Sequence, residues 1–347
     1  MSDTDIRLPD YTALIGSHVH ILAEQNNFNV GLSNVPEIWK ETHGKGAVGI
    51  ILDTGLPQHV DIPISEAQNF SSDPDALDGN GHSTWIGGVS HAIHGNGMGV
   101  RGIADDSRIE YYKVLSNGGG GSLQGLLDAL DDIIDRVENG ETIDSLNLSL
   151  GFGQGVPNIK QLEDRFNRLR ALNVLAFVAG GNENGPTSQP AVYDSVLAIA
   201  SINRDLSKST FSNFGKIDFA AMGHQSYSTW KGNAYIKISG TSMACPIPFA
   251  ISLLIQSKHR LAGAALTANE MVDHLKKIAF DIGKPGMDAI SGHGILKYTS
   301  DPDLPDNPPP PKPKDPETSA CGMPLDAAMA METIGRAMVH AAKQAKI

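Results

Sequence analysis

Short apolar runs alternate with amphipathic stretches along most of the chain. The runs at 47–52, 146–150, 174–179 and 196–202 are bounded by Gly, Asn or Asp and are rich in Val, Ile, Leu and Ala. Continuous apolar runs of this length predict strands covered on both faces, as in a parallel sheet. Between them Leu123, Leu126, Leu127, Leu130, Ile134 and Val137 recur at helical spacing, and Leu162, Phe166 and Leu169 share one face of the stretch 159–172. Strand, helix, strand, helix predicts an α/β fold: an open, mostly parallel sheet with helices on both faces.

The periodic pattern stops near Ser300. The segment 301–323 is dominated by Pro and polar residues and predicts an extended linker. Beyond it, Leu325, Ala328, Met331, Gly335, Met338 and Ala342 line one side of an expected amphipathic helix at 324–347, a surface that could meet a second copy or a partner. The expected organisation is thus an N-terminal extension at 1–34, one large domain at 35–300, the linker and the helix.

The 347 residues carry a formal charge of −12 and 40% hydrophobic content. That acidity argues against a nucleic-acid surface, which needs a basic face. No apolar run reaches the roughly 18 residues of a membrane span, and the start "MSDTDIRLPDY" lacks the basic and apolar parts of a signal peptide. With only two cysteines, Cys245 and Cys321, a disulfide framework is not expected. These features place the expected site of action in the cytoplasm.

In open parallel sheets ligands bind beyond the carboxyl ends of the strands, so polar residues there matter most. "AVGIILDTG" ends a strand at Asp53, "DGNGHST" puts His82 at the start of a helical stretch, and "SGTSMACP" puts Ser242 between a strand and the apolar helix "FAISLLIQ". Taken singly, each is an ordinary turn former, helix cap or structural histidine. Their order along the chain, Asp then His then Ser, is one of the known orders of a nucleophile, a base and an orienting carboxylate.

With "ILDTG", "GNGHST", "NLSLG", "GGNENG" and "SGTSMACP" together, the chain resembles subtilisin-like serine proteases from about residue 35 to 298, closest in layout to the intracellular subtilisins. The resemblance implies an intracellular serine endopeptidase acting on polypeptides. Ser242 would be the nucleophile, His82 the general base and acid, Asp53 the carboxylate that orients His82, and Asn182 an oxyanion donor beside the Ser242 N–H. It also implies that Gly119, Gly120 and Gly121 form one edge that pairs with an extended substrate, Ser149, Leu150 and Gly151 the other, and that Ala179, Gly180 and Gly181 wall a side-chain pocket. A glycine run read alone is equally a flexible loop. The competing reading is a protein of the same fold that has lost turnover and uses its cleft for binding.

In many members of the family a structural calcium is held by segments that match Asp61 and Asn96 here, with the carbonyls of His94, Met98 and Val100. The same residues are common turn formers. His91 and His94 are read as surface histidines, since no HExxH pattern accompanies them. The sequence departs from the family at Ser83-Thr84-Trp85, at Pro246 to Ala250 and at Met222, all of which bear on packing. Too few residues precede Val35 for a folded prodomain; "IRLPDY", with an inserted Asp10, instead resembles the short inhibitory extension of the intracellular subtilisins.

Overall fold

The computed structural model describes residues 5–9, 12–13 and 24–299. The expected linker and C-terminal helix lie outside the described residues.

Nine strands form the central sheet in the spatial order Ala279–Phe280, Ile295–Leu296, Phe219–Met222, Val196–Ile202, Leu175–Ala179, Ser145–Leu148, Val48–Asp53, Arg108–Lys113 and Ala67–Asn69. All neighbours are parallel except the first two, which run antiparallel at one edge. Val48–Asp53, Ser145–Leu148, Leu175–Ala179 and Val196–Ile202 are buried along their whole length, which is why they read as unbroken apolar runs rather than alternating ones.

Alternate residues of each strand enter different cores. Ile51, Leu175 and Phe177 join a cluster with Trp85, Val89, Ile247 and Phe249 on one face. Ile50, Leu52, Leu146 and Ala176 join Leu126, Leu130, Leu162 and Phe166 on the other. The helices therefore divide as the pattern predicts: His82–His91 and Pro246–Leu261 cover one face, Leu123–Glu138 and Lys160–Ala171 the other.

Local chemistry sets the helix ends. The Ser122 side chain accepts from the Gly125 N–H and caps Leu123–Glu138. Pro246 and Pro248 fall in the first turn of Pro246–Leu261, where a missing N–H breaks no helical bond. That helix lies so close to the sheet that a Cβ on Gly49 would stand 2.6 Å from the Phe249 ring, so the bulky Phe249 is accommodated by a bare backbone opposite. Trp85 is likewise fully buried, with its Nε1 donating to the Ile236 carbonyl at 3.4 Å. Met222 takes its place through Asn29, which accepts from its N–H and donates to its carbonyl, both at 3.0 Å.

Beside the main sheet, Ser226–Trp230 and Ala234–Ser239 form an antiparallel pair. Residues 12 and 13 add to it, with Thr12 level with Ser239 and Ala13 with Ile238. No helix among the described residues is long and apolar enough to cross a membrane.

Candidate active site

Asp53 is the last residue of its strand and is wholly buried. His82 opens the helix His82–His91 behind Gly81, whose φ of 105° lets the chain turn sharply into that helix. The two side chains meet there: His82 Nδ1 lies 2.8 Å from Asp53 Oδ1 and 3.0 Å from Oδ2. Asp53 Oδ1 also accepts from the Thr54 N–H at 2.7 Å, which fixes the carboxylate against the imidazole.

One strand away, Leu148 is level with Leu52, so Ser149 and Asp53 leave the sheet side by side. Ser149 holds Ser242 twice: Ser149 Oγ donates to the Ser242 carbonyl at 3.0 Å, and Ser242 Oγ donates to the Ser149 carbonyl at 3.2 Å. Ser242 lies in the short helix Thr241–Ala244, which Cys245, itself helical in conformation, joins to Pro246–Leu261. Burial pushes the Cys245 thiol pKa upward, against the opposing hydrogen bond to Ser149, so this thiol stays protonated.

Asn182 follows the strand Leu175–Ala179. Its Oδ1 accepts from both the N–H and the Oγ1–H of Thr241, each at 2.8 Å, which fixes that end of the amide as the acceptor and turns the NH2 the other way. Gly180 and Gly181 are fixed by donation to the Ile199 carbonyl at 2.9 Å and to Thr241 Oγ1 at 3.1 Å. The buried Asn213 ties this loop down, accepting from the Glu183 and Gly185 N–H groups and donating to the Gly180 carbonyl and the Glu183 carboxylate.

The two stretches expected as binding edges flank a segment of the chain itself. Asp5–Arg7 pairs antiparallel with Gly120–Ser122, Ile6 being level with Gly121. Leu8 donates to the Gly119 carbonyl at 3.0 Å, while Arg7 and Gly151 exchange both hydrogen bonds at 3.0 Å. Ile6 is fully buried and Pro9 is buried, whereas Arg7 points out to solvent. Beside this segment lies a cavity of about 1000 Å³ lined in part by Phe70, Gln124, Asp128 and Val156.

Asp61 and Asn96 do meet, but through a hydrogen bond: Asn96 Nδ2 donates to Asp61 Oδ1 at 2.6 Å. Asp61 Oδ2 accepts from the Val100 N–H at 2.9 Å and the Tyr235 hydroxyl at 3.1 Å, and Asn96 Oδ1 accepts from the Met98 N–H. Burial raises the Asp61 pKa; its hydrogen bonds oppose the rise, and the nearby Glu24 carboxylate adds to it. No group of three or more His, Cys, Asp or Glu side chains arranged for a metal occurs among the described residues. His94 is exposed, beside Glu24 at 3.2 Å. His91 corrects the surface expectation: it is buried, its Nε2 lies 2.6 Å from the Tyr111 hydroxyl, and burial lowers its pKa to about 3.

Sequence reading missed Asp78. Its Oδ1 accepts from Thr54 Oγ1 and from the Asn80 and Gly81 N–H groups; its Oδ2 accepts from Thr84 N–H and Oγ1–H. This carboxylate joins the end of the Asp53 strand to the first turn of the His82 helix. The signal available was an Asp four residues ahead of His82, in the position of a helix-entry turn.

A strand-end carboxylate, a helix-start imidazole and a buried serine thus stand beyond the carboxyl ends of a parallel α/β sheet. The chain belongs to the subtilase family, whose model matches residues 44–294. It is 31% identical over 255 residues to the thermostable alkaline protease of Halalkalibacterium halodurans, covering 73% of this chain and 66% of that protein. It is 32% identical over 277 residues to the minor extracellular protease Epr of Bacillus subtilis, covering 78% and 41%. The intracellular serine protease of Paenibacillus polymyxa is 30% identical over 288 residues, covering 78% and 85%. The match thus spans less than two thirds of the first two relatives.

Proposed function

We propose that this chain is a serine endopeptidase that hydrolyses polypeptides through an acyl-enzyme and works inside the cell. The observation that carries the reading is the buried Asp53–His82 pair, with Ser242 and Asn182 anchored at the ends of neighbouring strands. Ser242 Oγ would attack the carbonyl carbon of the residue before the cut bond while its proton passes to His82 Nε2. Asp53 holds the ring with Nδ1–H toward the carboxylate and stabilises the imidazolium. The oxyanion would be met by the Asn182 NH2 and the Ser242 N–H, whose neutral dipoles stabilise it without neutralising the His–Asp pair. His82 then gives its proton to the leaving amine, and water, activated by the same base, releases the acyl group.

The segment around Ile6 supports a second element of the reading, that residues 1–34 include an inhibitor. It binds as an added strand between the two edges where an extended substrate would lie. Full burial of an isoleucine side chain contributes about 1.5–3 kcal/mol, and tethering raises its local concentration. The relative from Paenibacillus polymyxa supports the intracellular assignment.

Calcium remains part of the proposal. The Asp61 and Glu24 carboxylates converge on the loop 94–100, and a divalent cation would offset both their mutual repulsion and the burial of Asp61. It would take Asp61 Oδ1 from the Asn96 amide, so binding requires that side chain to turn.

A fluorophosphonate probe should label the wild-type chain and leave Ser242→Ala unlabelled, and only the former should hydrolyse a small peptide. Removing residues 1–17 should raise the initial rate. An active Ser242→Ala would overturn the mechanism; equal initial rates with and without the segment would overturn the inhibition.

A further inference from the structure

The helix that carries His82 is gripped along one side by the hairpin that runs into Ser242. Gly81, Thr84, Trp85 and Gly88 recur at the spacing of a single helical face, and each meets the strand Ser226–Trp230. Thr229 Oγ1 donates to the Thr84 carbonyl at 2.7 Å, and Ser228 Oγ to the Trp85 carbonyl at 2.8 Å. A carbonyl has two lone pairs, so these bonds add to those of the helix rather than replace them. So close an approach needs bare backbone opposite: a Cβ on Gly88 would stand 2.1 Å from Thr229 Oγ1 and 2.4 Å from Ser228 Oγ. At the start of the helix a Cβ on Gly81 would stand 2.8 Å from the Trp230 ring, and Lys231 Nζ donates to the Gly79 carbonyl at 3.0 Å.

The second strand of the hairpin, Ala234–Ser239, leads back toward the serine. It pairs with the first over five positions, with Ser228 level with Ile236 and Ser226 with Ile238. The indole of Trp85 donates to the Ile236 carbonyl, so the helix is tied to both strands. Ser239 is followed by Gly240 and then by Thr241–Ala244, which contains Ser242.

We infer that this hairpin is a brace between base and nucleophile, in which Thr229 and Ser228 are positioning residues that set the His82 helix against the strand pair leading to Ser242. The inference rests on the serine-peptidase reading, in which His82 must meet the Ser242 proton. Asp53 and Ser149 hold the two residues through the main sheet; the hairpin joins them by a second route that does not pass through it. His82 lies off the gripped face, so its ring reaches Asp53 while the backbone beside it is fixed. Ser228, Thr229 and Trp85 are fully buried and Thr84 is 1% exposed, so water does not stand in for a lost hydroxyl.

The experiment uses the full chain, with the extension in place in every variant. Thr229→Val keeps the branched shape and removes the donor, whereas Thr229→Ser keeps the donor and removes a methyl. Positioning by the hydroxyl predicts that Thr229→Val lowers kcat on a small peptide by at least about tenfold with KM within about twofold, and that Thr229→Ser stays within about twofold of wild type in both. Ser228→Ala removes the other donor and should lower kcat in the same sense, and fluorophosphonate labelling of Ser242 should slow in step. Melting curves on the same samples show which variants are folded; if Thr229→Val is not, Ser228→Ala decides. A folded Thr229→Val or Ser228→Ala chain as fast as wild type, or a Thr229→Ser chain as slow as Thr229→Val, would overturn the brace. The peptidase reading would stand in each of those cases, because wild type still hydrolyses the peptide and Ser242→Ala does not. A wild-type chain that is neither labelled nor active would overturn that reading, and the brace with it.

Discussion

Asp78 offers the sharpest test of how the site is held. Its carboxylate, 7% exposed, accepts five hydrogen bonds of 2.6–3.0 Å from Thr54, Asn80, Gly81 and Thr84. In Asp78→Asn the oxygen facing Thr54, Asn80 and Gly81 can remain, but an NH2 then confronts the two donors of Thr84. Each lost hydrogen bond to a charged group is worth about 1.5–3 kcal/mol, so the substitution should destabilise the fold by roughly 3–6 kcal/mol. The Thr84 N–H lies in the first helical turn, where no backbone carbonyl can replace the lost acceptor. At about 2–4 °C per kcal/mol for a domain of this size, the melting temperature should fall by at least about 6 °C. Catalysis should suffer separately. Asp78 sets the approach of the His82 helix to Asp53 through Thr54, whose Oγ1 also accepts from the Ser83 N–H at 3.1 Å. A shift of His82 by about 1 Å should lower kcat by around 100-fold, with KM little changed because the substrate edges lie on other strands. Differential scanning calorimetry and steady-state kinetics on the same preparation read both effects. A melting temperature within about 1 °C of wild type and an unchanged kcat would refute the positioning role.

Asn182→Ala should lower kcat by roughly 3–4 kcal/mol of transition-state stabilisation, a magnitude that comes from the corresponding subtilisin donor, with KM nearly constant; peptide hydrolysis checks it. Ser242→Ala and His82→Ala should each cost about as much as the pair together, since they act as one unit in the same assay. His91 is neutral in the fold, with its pKa depressed to about 3, while the unfolded chain protonates it near 6.5. Its contribution is therefore present above pH 6.5 and is lost as pH falls toward 3, with a slope of up to about 1.4 kcal/mol per pH unit; His91→Gln should remove that slope from denaturant unfolding curves. If calcium binds at Asp61, a chelator should lower the melting temperature of wild type but not of Asp61→Ala, and an unchanged wild-type melting curve would exclude the site.

The parts of this architecture that could be read from sequence are those that repeat or that end a repeat. Val48–Asp53 and Leu175–Ala179 are covered on both faces, so burial writes them as unbroken apolar runs. Asp53, His82 and Ser242 stand where such patterns stop, and their chain order gives them meaning. Asp78, Thr241 and Asn213 were not visible in this way. They act through hydrogen bonds between loops that are far apart in sequence, made by short polar side chains with no period. His91 misled for a related reason: its polarity suggests the surface, and its partner Tyr111 lies on a different element. Ala67–Asn69 is exposed and polar enough to carry no strand signature, and takes its form from pairing with Arg108–Lys113. The run of glycines suggested a docking edge, but only the register shows that Ile6 meets Gly121 and that Arg7 meets Gly151.

The spread of the proposed triad along the chain has a consequence during synthesis. Asp53 and His82 leave the ribosome early, whereas Ser242 follows Asp53 by about 190 residues, a delay of roughly 10–40 s at 5–20 residues per second. Until then the proposed nucleophile is missing, although the strand Ser145–Leu148 that carries its anchor and pairs with Val48–Asp53 has already been made. The segment that occupies the cleft is made before either of its edges. On the proposed inhibition, the occupant is already tethered by the time Ser242 is made, and the order of translation itself would guard the nascent chain and its neighbours from premature cutting.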